Sequence, residues 1–426
     1  MLLSSMKKRW FGTDGIRGLL GSDLRKKEII KISYLYAKHI KASSILIGMD
    51  SRNGNSKLLD WIAKGISNTK ATIHFCGILP TPAISYLAKL KHYDGAISIT
   101  ASHNLPKYNG IKFFKENGVK LSEEDEQAIE SQMNEYLSLD SKKPKIEKLN
   151  LDNIYLNMLR KIAPRKQFNA VMDFSNGACS KFAHFFEEYF GIKAINTRPN
   201  GSNINIADTE IENEIKKEKA ALGFALDGDG DRCIVFDASG KKIDGDKIII
   251  ALASAMQIKK GVVVTDYSNY ALDDILKDKG IPVFRVKNGD KYVINAIYEN
   301  EYELGGEKSG HLVFPQHSFC DDGMLTAIKL LTLLNKTKKS IEELTAYQLK
   351  PNILINVPVR KKKDFFAIPT LAKAIEFTRR KLSQRGRLLI RYSGTESICR
   401  IMIEANERKL LKLGWKLAKI VSAELN

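Results

Sequence analysis

The chain has 426 residues, of which 43% are hydrophobic and 27% are charged, the composition of an ordinary globular protein. At roughly 150 residues per domain we expect three or four domains. Five widely spaced cysteines with no C-x-x-C pair argue against a disulfide framework and for a reducing compartment.

The formal net charge of +19 would suit an anionic partner such as nucleic acid, a membrane surface or a phosphorylated substrate. Lysines are spread along the whole chain, and the longest basic run, at 360–363, contains no aromatic residue that could stack on bases. We therefore expect no nucleic-acid and no membrane partner, and keep nucleic-acid binding as an alternative suggested by charge alone. The start, MLLSSMKKRW, lacks the apolar core of a signal peptide, so a cytoplasmic location is expected.

Apolar runs at 45–49, 71–77 and 95–100 predict buried strands, and the helix-like segments between them give the βαβ rhythm of a sheet covered on both faces. The same rhythm begins again near 169 and near 259. From about 355 the pattern predicts strand, helix, strand, strand and helix. Polar linkers are expected at 138–150 and 350–364. The predicted domains are 1–160, 161–243, 244–353 and 354–426.

Two candidate segments lie in the first domain. In FGTDGIRG, at 11–18, Arg17 stands among glycines of a shaped loop and is a candidate phosphate contact. In ISITASHNLPKYNGIKFF, at 97–114, the strand delivers Ser102 into a loop, where it could act as a nucleophile with His103 or Lys112 handling a proton. A turn that bonds its own backbone is the alternative.

The segment ALDGDGDRC, at 225–233, places Asp227, Asp229 and Asp231 on alternate positions. Carboxylates about 5 Å apart repel by roughly 3 kcal/mol per pair at an effective dielectric near 20, so this arrangement favours a bound cation. Hard oxygen ligands suit Mg²⁺ or Ca²⁺. Arg232 and Ala238 stand where an EF-hand needs Gly and Glu, which excludes that motif; a solvated turn remains the alternative.

Two further segments predict ligand contacts. In GGEKSGH, at 305–311, Glu307 and Ser309 could bind sugar hydroxyls, and His311 could contact a phosphate or act as an acid. RYSGTES, at 391–397, follows a predicted strand and combines a planar guanidinium with hydroxyls and backbone N–H groups, which together suit a phosphate. A glycine-rich turn and a surface arginine are the alternatives. The candidate phosphate contacts are Arg391, Ser393, Gly394 and Thr395.

These five segments, in this order and spacing, resemble the α-D-phosphohexomutase family over nearly the whole chain. FGTDGIRG, GGEKSGH and the segment NGDKYV at 288–293 are similar to the branch that acts on glucosamine phosphates. Leu105 and Ser397 stand where this family usually has proline, which puts the rigidity of both loops in question.

The resemblance implies an α/β fold with four domains around a central cleft: three similar α/β domains and a smaller C-terminal α+β domain. It implies that Ser102 carries a phosphoryl group and that Mg²⁺ is held by that serine with Asp227, Asp229 and Asp231. Arg232 would lie beside the metal, and His103 and Lys112 would assist proton transfer. The substrate would be bound by Arg17, Glu307, Ser309, His311, Arg391, Ser393, Gly394 and Thr395.

The implied reaction is an isomerisation of glucosamine 6-phosphate to glucosamine 1-phosphate, an intramolecular phosphotransfer that supplies amino-sugar precursors of the cell wall. It would pass through phospho-Ser102 and a hexose 1,6-bisphosphate, which would also serve as activator. The expected partner is a small sugar phosphate, and the protein is expected to be a monomer or homodimer. The alternatives are a mutase acting on mannose or glucose phosphates, and a non-catalytic sugar-phosphate-binding protein.

Overall fold

A computed structural model describes residues 10–139, 143–393 and 397–426. They form two compact units: the first contains the chain up to Ser268 and Ile275–Ala346, and the second contains Asn269–Asp274 and Tyr347–Asn426. Within the described ranges, no helix is long and apolar enough to cross a membrane.

The first unit begins with a six-stranded sheet in the order β1-β5-β4-β2-β3-β6. The three predicted strands are confirmed as β2, β3 and β4, and every residue of β4 is buried because helices cover both faces. The linker predicted at 138–150 is wrong in part, since β6 pairs in parallel with β3 there. The elements are β1 (Ile16–Leu19), α1 (Lys26–His39), β2 (Ser44–Met49), α2 (Asn55–Ile66), β3 (Thr72–Ile78), α3 (Thr81–Leu90), β4 (Gly95–Ile99), β5 (Tyr108–Lys115), α4 (Glu123–Ser131) and β6 (Ile146–Lys148).

Two four-stranded sheets follow, in the orders β10-β9-β7-β8 and β12-β11-β13-β14. The second sheet and its helices contain α5 (Asp152–Ile162), β7 (Ala170–Asp173), α6 (Ala183–Phe190), β8 (Lys193–Ile195), α7 (Ile211–Lys217), β9 (Leu222–Leu226) and β10 (Cys233–Asp237). The third contains α8 (Gly245–Ala255), β11 (Val262–Thr265), α9 (Ala271–Lys277), β12 (Val283–Val286), α10 (Asp290–Asn300), β13 (Leu304–Gly306), β14 (Leu312–Val313), α11 (Gly323–Thr337) and α12 (Ile341–Leu344).

The three sheets share one four-stranded pattern, which confirms the repetition that the strand rhythm predicted. In each, the first strand of the repeat is central and pairs in parallel with the second on one side and the third on the other. The fourth strand then pairs antiparallel with the third. The repeats are β2-β3-β4-β5, β7-β8-β9-β10 and β11-β12-β13-β14.

The second unit contains a three-stranded antiparallel sheet in the order β15-β17-β16, the two helices that follow β15 and β17, and the start of α9. Its order of strand, helix, strand, strand and helix confirms the predicted pattern. The linker predicted at 350–364 is wrong where β15 lies, because Ile355 and Val357 are buried in the core of this unit. The predicted domain boundaries stay predictions, and the one near 353 falls inside β15. The elements are β15 (Asn352–Pro358), α13 (Pro369–Leu382), β16 (Gly386–Tyr392), β17 (Ile398–Ala405) and α14 (Lys412–Leu425).

Candidate active site

Three of the predicted loops occupy the same place in the repeated sheet, between its third strand and its antiparallel fourth strand. They cover 100–107, 227–232 and 307–311. The Ser102 hydroxyl donates a hydrogen bond of 2.7 Å to Asp227 Oδ2, and the Cys233 N–H donates to the Gly310 carbonyl at 3.0 Å. The fold of the first unit thus brings together loops that are more than 70 residues apart along the chain.

Ser102 is buried and has a φ of 48°, which is uncommon outside glycine and is imposed by its surroundings. Its N–H donates to Thr100 Oγ1 at 2.8 Å, and its Oγ lies 3.4 Å from His103 Nδ1. The backbone of Gly228 packs against the Ser102 carbonyl group. Position 228 requires glycine, since a Cβ there would lie 2.9 Å from the Ser102 carbonyl oxygen. The hydroxyl is therefore fixed against the aspartate loop.

The three alternating aspartates are buried, and each has an oxygen within 4.8 Å of the others. Within the described residues, Asp229 Oδ1 is buried with no hydrogen-bond partner, and Asp231 Oδ1 lies 3.3 Å from His311 Nε2. Burial, followed by repulsion from Asp231 and Asp229, raises the pKa of Asp227 to about 7. Hard oxygens on mutually repelling buried carboxylates fit a divalent cation such as Mg²⁺.

Lys112, on β5, lies against this cluster with its ammonium 2.8 Å from Asp229 and 3.2 Å from Asp14, and it also pairs with Asp231. Burial alone would lower the pKa of Lys112, but the three carboxylates outweigh it and raise the pKa. The side chain is consequently held as a cation against the aspartates. In that state it can stabilise negative charge.

The remaining catalytic candidate of this loop, His103, is exposed to solvent. Partial desolvation within the loop, followed by the nearby Arg232 and Arg17 guanidinium groups, lowers the pKa of His103 to about 3. Its imidazole is therefore neutral at physiological pH. Arg17 lies on β1, where it pairs with Asp14 and donates to Asn104 Oδ1 at 3.2 Å.

The loop 307–311 presents a hydrogen-bonded set built on Glu307. One oxygen of this carboxylate lies 3.2 Å from the Ser309 hydroxyl and 3.1 Å from His311 Nδ1, and the other accepts the Gly289 N–H at 3.0 Å. Burial alone would raise the pKa of Glu307, but His311 and the amide outweigh it and lower the pKa. Arg232 Nε donates to His311 Nε2 at 2.7 Å, so this loop is joined to the aspartate loop.

The predicted phosphate contacts of the last domain lie in the second unit. Arg391 is on β16, a small correction to the expectation that it follows the strand. The Ser393 N–H donates to the Ile398 carbonyl at 2.9 Å, and its carbonyl accepts from Lys362 Nζ at 2.6 Å. Gly394 and Thr395 lie outside the described residues.

Several side chains of the site were not singled out from the sequence. Asp14 stands inside the quoted motif FGTDGIRG, and its contact with Lys112 could have been suspected from that position. Thr81 donates its hydroxyl to Asp229 at 2.6 Å, and Arg52 and Asn205 donate to the Ser102 carbonyl. No local pattern marks Thr81 or Asn205.

Three models of the phosphoglucomutase/phosphomannomutase family match this chain: α/β/α domain I at residues 8–140, α/β/α domain III at 244–351 and the C-terminal domain at 354–413. A phosphoglucosamine mutase of Syntrophotalea carbinolica is 34% identical over 99% of this chain and 98% of its own length.

Solved structures also have this fold. A phosphoglucomutase/phosphomannomutase family protein of Burkholderia thailandensis superposes with a TM-score of 0.83 at 20% identity, covering 99% of both chains. Aspergillus fumigatus N-acetylphosphoglucosamine mutase, in complex with GlcNAc-6P and magnesium, superposes with a TM-score of 0.66 at 18% identity, covering 98% of this chain and 96% of that chain.

The repeated α/β sheets and the serine, aspartate and GGEKSGH loops define a mutase of hexose phosphates. The chain belongs to the phosphoglucomutase/phosphomannomutase family, the α-D-phosphohexomutases.

Proposed function

We propose that this protein interconverts glucosamine 6-phosphate and glucosamine 1-phosphate, with Ser102 as the carrier of the phosphoryl group. The observation that carries the proposal is the buried Ser102 hydroxyl, held 2.7 Å from Asp227 within a cluster of three aspartates and Lys112. The substrate is taken from the relative named phosphoglucosamine mutase, which is 34% identical over almost the whole chain.

In the proposed forward reaction, the C1 hydroxyl of glucosamine 6-phosphate attacks the phosphorus of phospho-Ser102. The new C1–O–P bond forms, the bond from phosphorus to Ser102 Oγ breaks, and a proton passes from the sugar hydroxyl to the serine oxygen. The resulting 1,6-bisphosphate turns round, and Ser102 Oγ attacks its 6-phosphate. The bond from this phosphorus to the C6 oxygen breaks, the serine proton passes to that oxygen, and glucosamine 1-phosphate leaves. This order restores phospho-Ser102, so no phosphoryl group is consumed.

The charge and position of each side chain determine the role that we assign to it. Lys112 and Arg232 are cations that contact the aspartate loop, and we assign them to stabilising charge on the phosphoryl group in transfer. His103 is neutral, and its Nδ1 lies 3.4 Å from Ser102 Oγ, so we assign it to accepting a proton there. Glu307 and Ser309 are assigned to the sugar hydroxyls. Each offers polar atoms on a glycine-containing loop that lies close to the serine loop and the aspartate loop.

We propose that Mg²⁺ is held by Asp227, Asp229 and Asp231 together with the phosphorylated Ser102, consistent with the three clustered carboxylates and the unpartnered Asp229 Oδ1. When bound, this ion supplies positive charge that stabilises the phosphoryl group in transfer. Arg391, Ser393, Gly394 and Thr395 are assigned to the substrate phosphate that is not reacting. Arg17 and His311 are assigned to substrate binding as further phosphate contacts near the serine and aspartate loops. All five cysteines are free, which supports a reducing, cytoplasmic location.

The test is turnover of glucosamine 6-phosphate beside glucose 6-phosphate and mannose 6-phosphate, with Mg²⁺ and glucose 1,6-bisphosphate present. We expect kcat/KM to favour glucosamine about a hundredfold, which corresponds to roughly 2.7 kcal/mol of transition-state discrimination. Ser102→Ala should abolish turnover of every substrate. Equal or better turnover of glucose or mannose phosphate would contradict the substrate, and an active Ser102→Ala protein would contradict the mechanism.

A further inference from the structure

Two side chains from outside the serine loop converge on the same two carbonyl groups of that loop. Arg52 Nη2 donates to the carbonyls of Ser102 and Asn104, both at 2.7 Å. Asn205 Nδ2 donates to the same two carbonyls at 2.7 and 2.9 Å. We call this pair, Arg52 with Asn205, the carbonyl clamp.

The guanidinium of Arg52 reaches further along the loop and is itself fixed. Its Nη1 donates to the Leu105 carbonyl at 2.7 Å and to the Tyr108 carbonyl at 3.1 Å. Its Nε donates to Asp50 Oδ2 at 3.0 Å, and both side chains are fully buried. A planar fork that bonds four carbonyls has little freedom to move, so it holds the whole turn from Ser102 to Tyr108.

Asp50 links the clamp to the other side of the serine. Its Oδ2 also accepts the Thr100 hydroxyl at 2.6 Å, and Thr100 Oγ1 accepts the Ser102 N–H at 2.8 Å. The peptide groups on both sides of the Ser102 Cα are therefore hydrogen-bonded to one buried network. Such bracing explains how a serine keeps a φ of 48°.

Asn205 comes from the segment between β8 and α7, in the second repeat, so the clamp ties two repeats to one loop. Its φ is 58°, a conformation that asparagine tolerates better than most residues. Its N–H donates to the Ser175 carbonyl at 2.8 Å, which fixes its backbone against the end of β7. The amide is thus aimed at the serine loop by the fold of its own repeat.

We propose that Asn205 and Arg52 are positioning residues that set the place of Ser102 Oγ against the aspartates for phosphoryl transfer. The inference rests on the proposed role of Ser102 as phosphoryl carrier. It also accounts for Leu105, where proline is usual in the family: the Leu105 side chain is exposed, but its carbonyl is held by Arg52. Hydrogen bonds from the clamp supply rigidity that a proline ring would otherwise give.

The deciding variant is Asn205→Gly, because glycine accepts a positive φ without strain and removes both amide hydrogen bonds. We expect the rate at which glucose 1,6-bisphosphate phosphorylates Ser102, followed by intact mass, to fall about 10- to 100-fold. The kcat for glucosamine 6-phosphate should fall in parallel, with KM within about threefold of wild type. Asn203→Gly is the matched control, since Asn203 lies in the same segment and bonds Arg198 and Asn200; it should load Ser102 at the wild-type rate.

Arg52→Lys keeps a cation beside Asp50 but removes the guanidinium fork, so we expect Ser102 to be phosphorylated more slowly than in Asn205→Gly. Because Arg52→Lys can fail to fold, the test of the proposal is Asn205→Gly. Loading within about twofold of wild type in Asn205→Gly would overturn the proposal. So would a slow rate that merely matches a reduced folded fraction measured by circular dichroism.

The loading assay also separates this inference from the proposed substrate. If wild type is phosphorylated by glucose 1,6-bisphosphate but does not convert glucosamine phosphates, the substrate proposal fails and the comparison of loading rates still tests the clamp. If wild-type Ser102 takes no phosphoryl group, the proposed function and the positioning role of the carbonyl clamp are both overturned.

Discussion

At the scale of single residues, the orientation of Asp229 depends on Thr81. The Thr81 hydroxyl donates to Asp229 Oδ2 at 2.6 Å, and its N–H donates to the Asp229 carbonyl at 2.9 Å. The other carboxylate oxygen, Oδ1, is the one that has no hydrogen-bond partner among the described residues. Thr81 therefore leaves that oxygen available to a cation while it holds the carboxylate in place.

Replacing Thr81 by valine removes this hydroxyl at nearly constant volume. We expect Thr81→Val to weaken Mg²⁺ binding up to about tenfold, because Asp229 Oδ2 keeps its ion pair with Lys112 Nζ at 2.8 Å but loses the hydroxyl that also orients it. Calorimetric titration of the metal-free protein measures the affinity directly, without turnover. Thr81→Ser keeps the hydroxyl and should bind Mg²⁺ like wild type; identical affinity in the valine variant would show that the hydroxyl does not orient Asp229.

Some residues of the site can be predicted from the sequence, and others cannot. Ser102, Asp227, Asp229 and Asp231 stand in dense local patterns whose chemistry can be read directly. Thr81 has no such pattern, since its partner Asp229 is 148 positions away. A contact of that range exists only after the first two repeats have packed together.

At the scale of elements, the repeated sheet explains why three unrelated loops serve one site. Each of them follows the third strand of its repeat and precedes the antiparallel fourth strand. The strand rhythm predicted repetition, but the equivalence of these loops depends on strand order, which periodicity does not encode. The linker expected at 350–364 failed for a related reason: its prolines and basic run conceal the alternation that buries Ile355 and Val357 in β15.

The end of β7 carries a carboxylate that is costly to ionise in the folded protein. Burial raises the pKa of Asp173 to about 6, although the Ser175 N–H donates to it at 2.7 Å. An acid whose folded pKa lies above its unfolded pKa stabilises the fold only while it is protonated. Its contribution is therefore fully present below pH 3.8 and is lost as the pH rises through 6.

Asp173→Asn should consequently be more stable than wild type at pH 7, by at most about 3 kcal/mol. The difference should shrink as the pH falls below about 6 and vanish below the unfolded pKa of 3.8, where the carboxyl is protonated in both the folded and the unfolded state. Urea denaturation at a series of pH values measures it. A difference that does not depend on pH would assign the effect to altered hydrogen bonding instead of ionisation.

At the scale of the whole molecule, the two units have separate hydrophobic cores. Ile97 is buried in a core of the first unit and Ile401 in the core of the second. We expect calorimetry to resolve two unfolding transitions, since each unit buries its apolar residues by itself. Ile401→Ala should lower the free energy of unfolding of the second unit by about 2–4 kcal/mol. The transition of the first unit should keep its midpoint.

Ile97→Ala is the matched control, because it removes the same groups from a fully buried strand of the first unit. It should lower the midpoint of the first unit's unfolding transition, which Ile401→Ala leaves unchanged. A single transition that moves with either substitution would show that the two units unfold as one.

The sequence by itself determined the family and the reaction type, and it predicted the residues whose chemistry is local: a serine at a strand end, alternating aspartates, and glycine-rich loops with polar side chains. These follow from residue type and spacing over a few positions. Only the tertiary structure decided which distant groups support them: Lys112 among three carboxylates, Thr81 behind Asp229, and the clamp of Arg52 and Asn205 on the serine loop. Such contacts arise from packing the repeats together, and the spacing of residues along a chain does not record which loops the sheets will bring into contact.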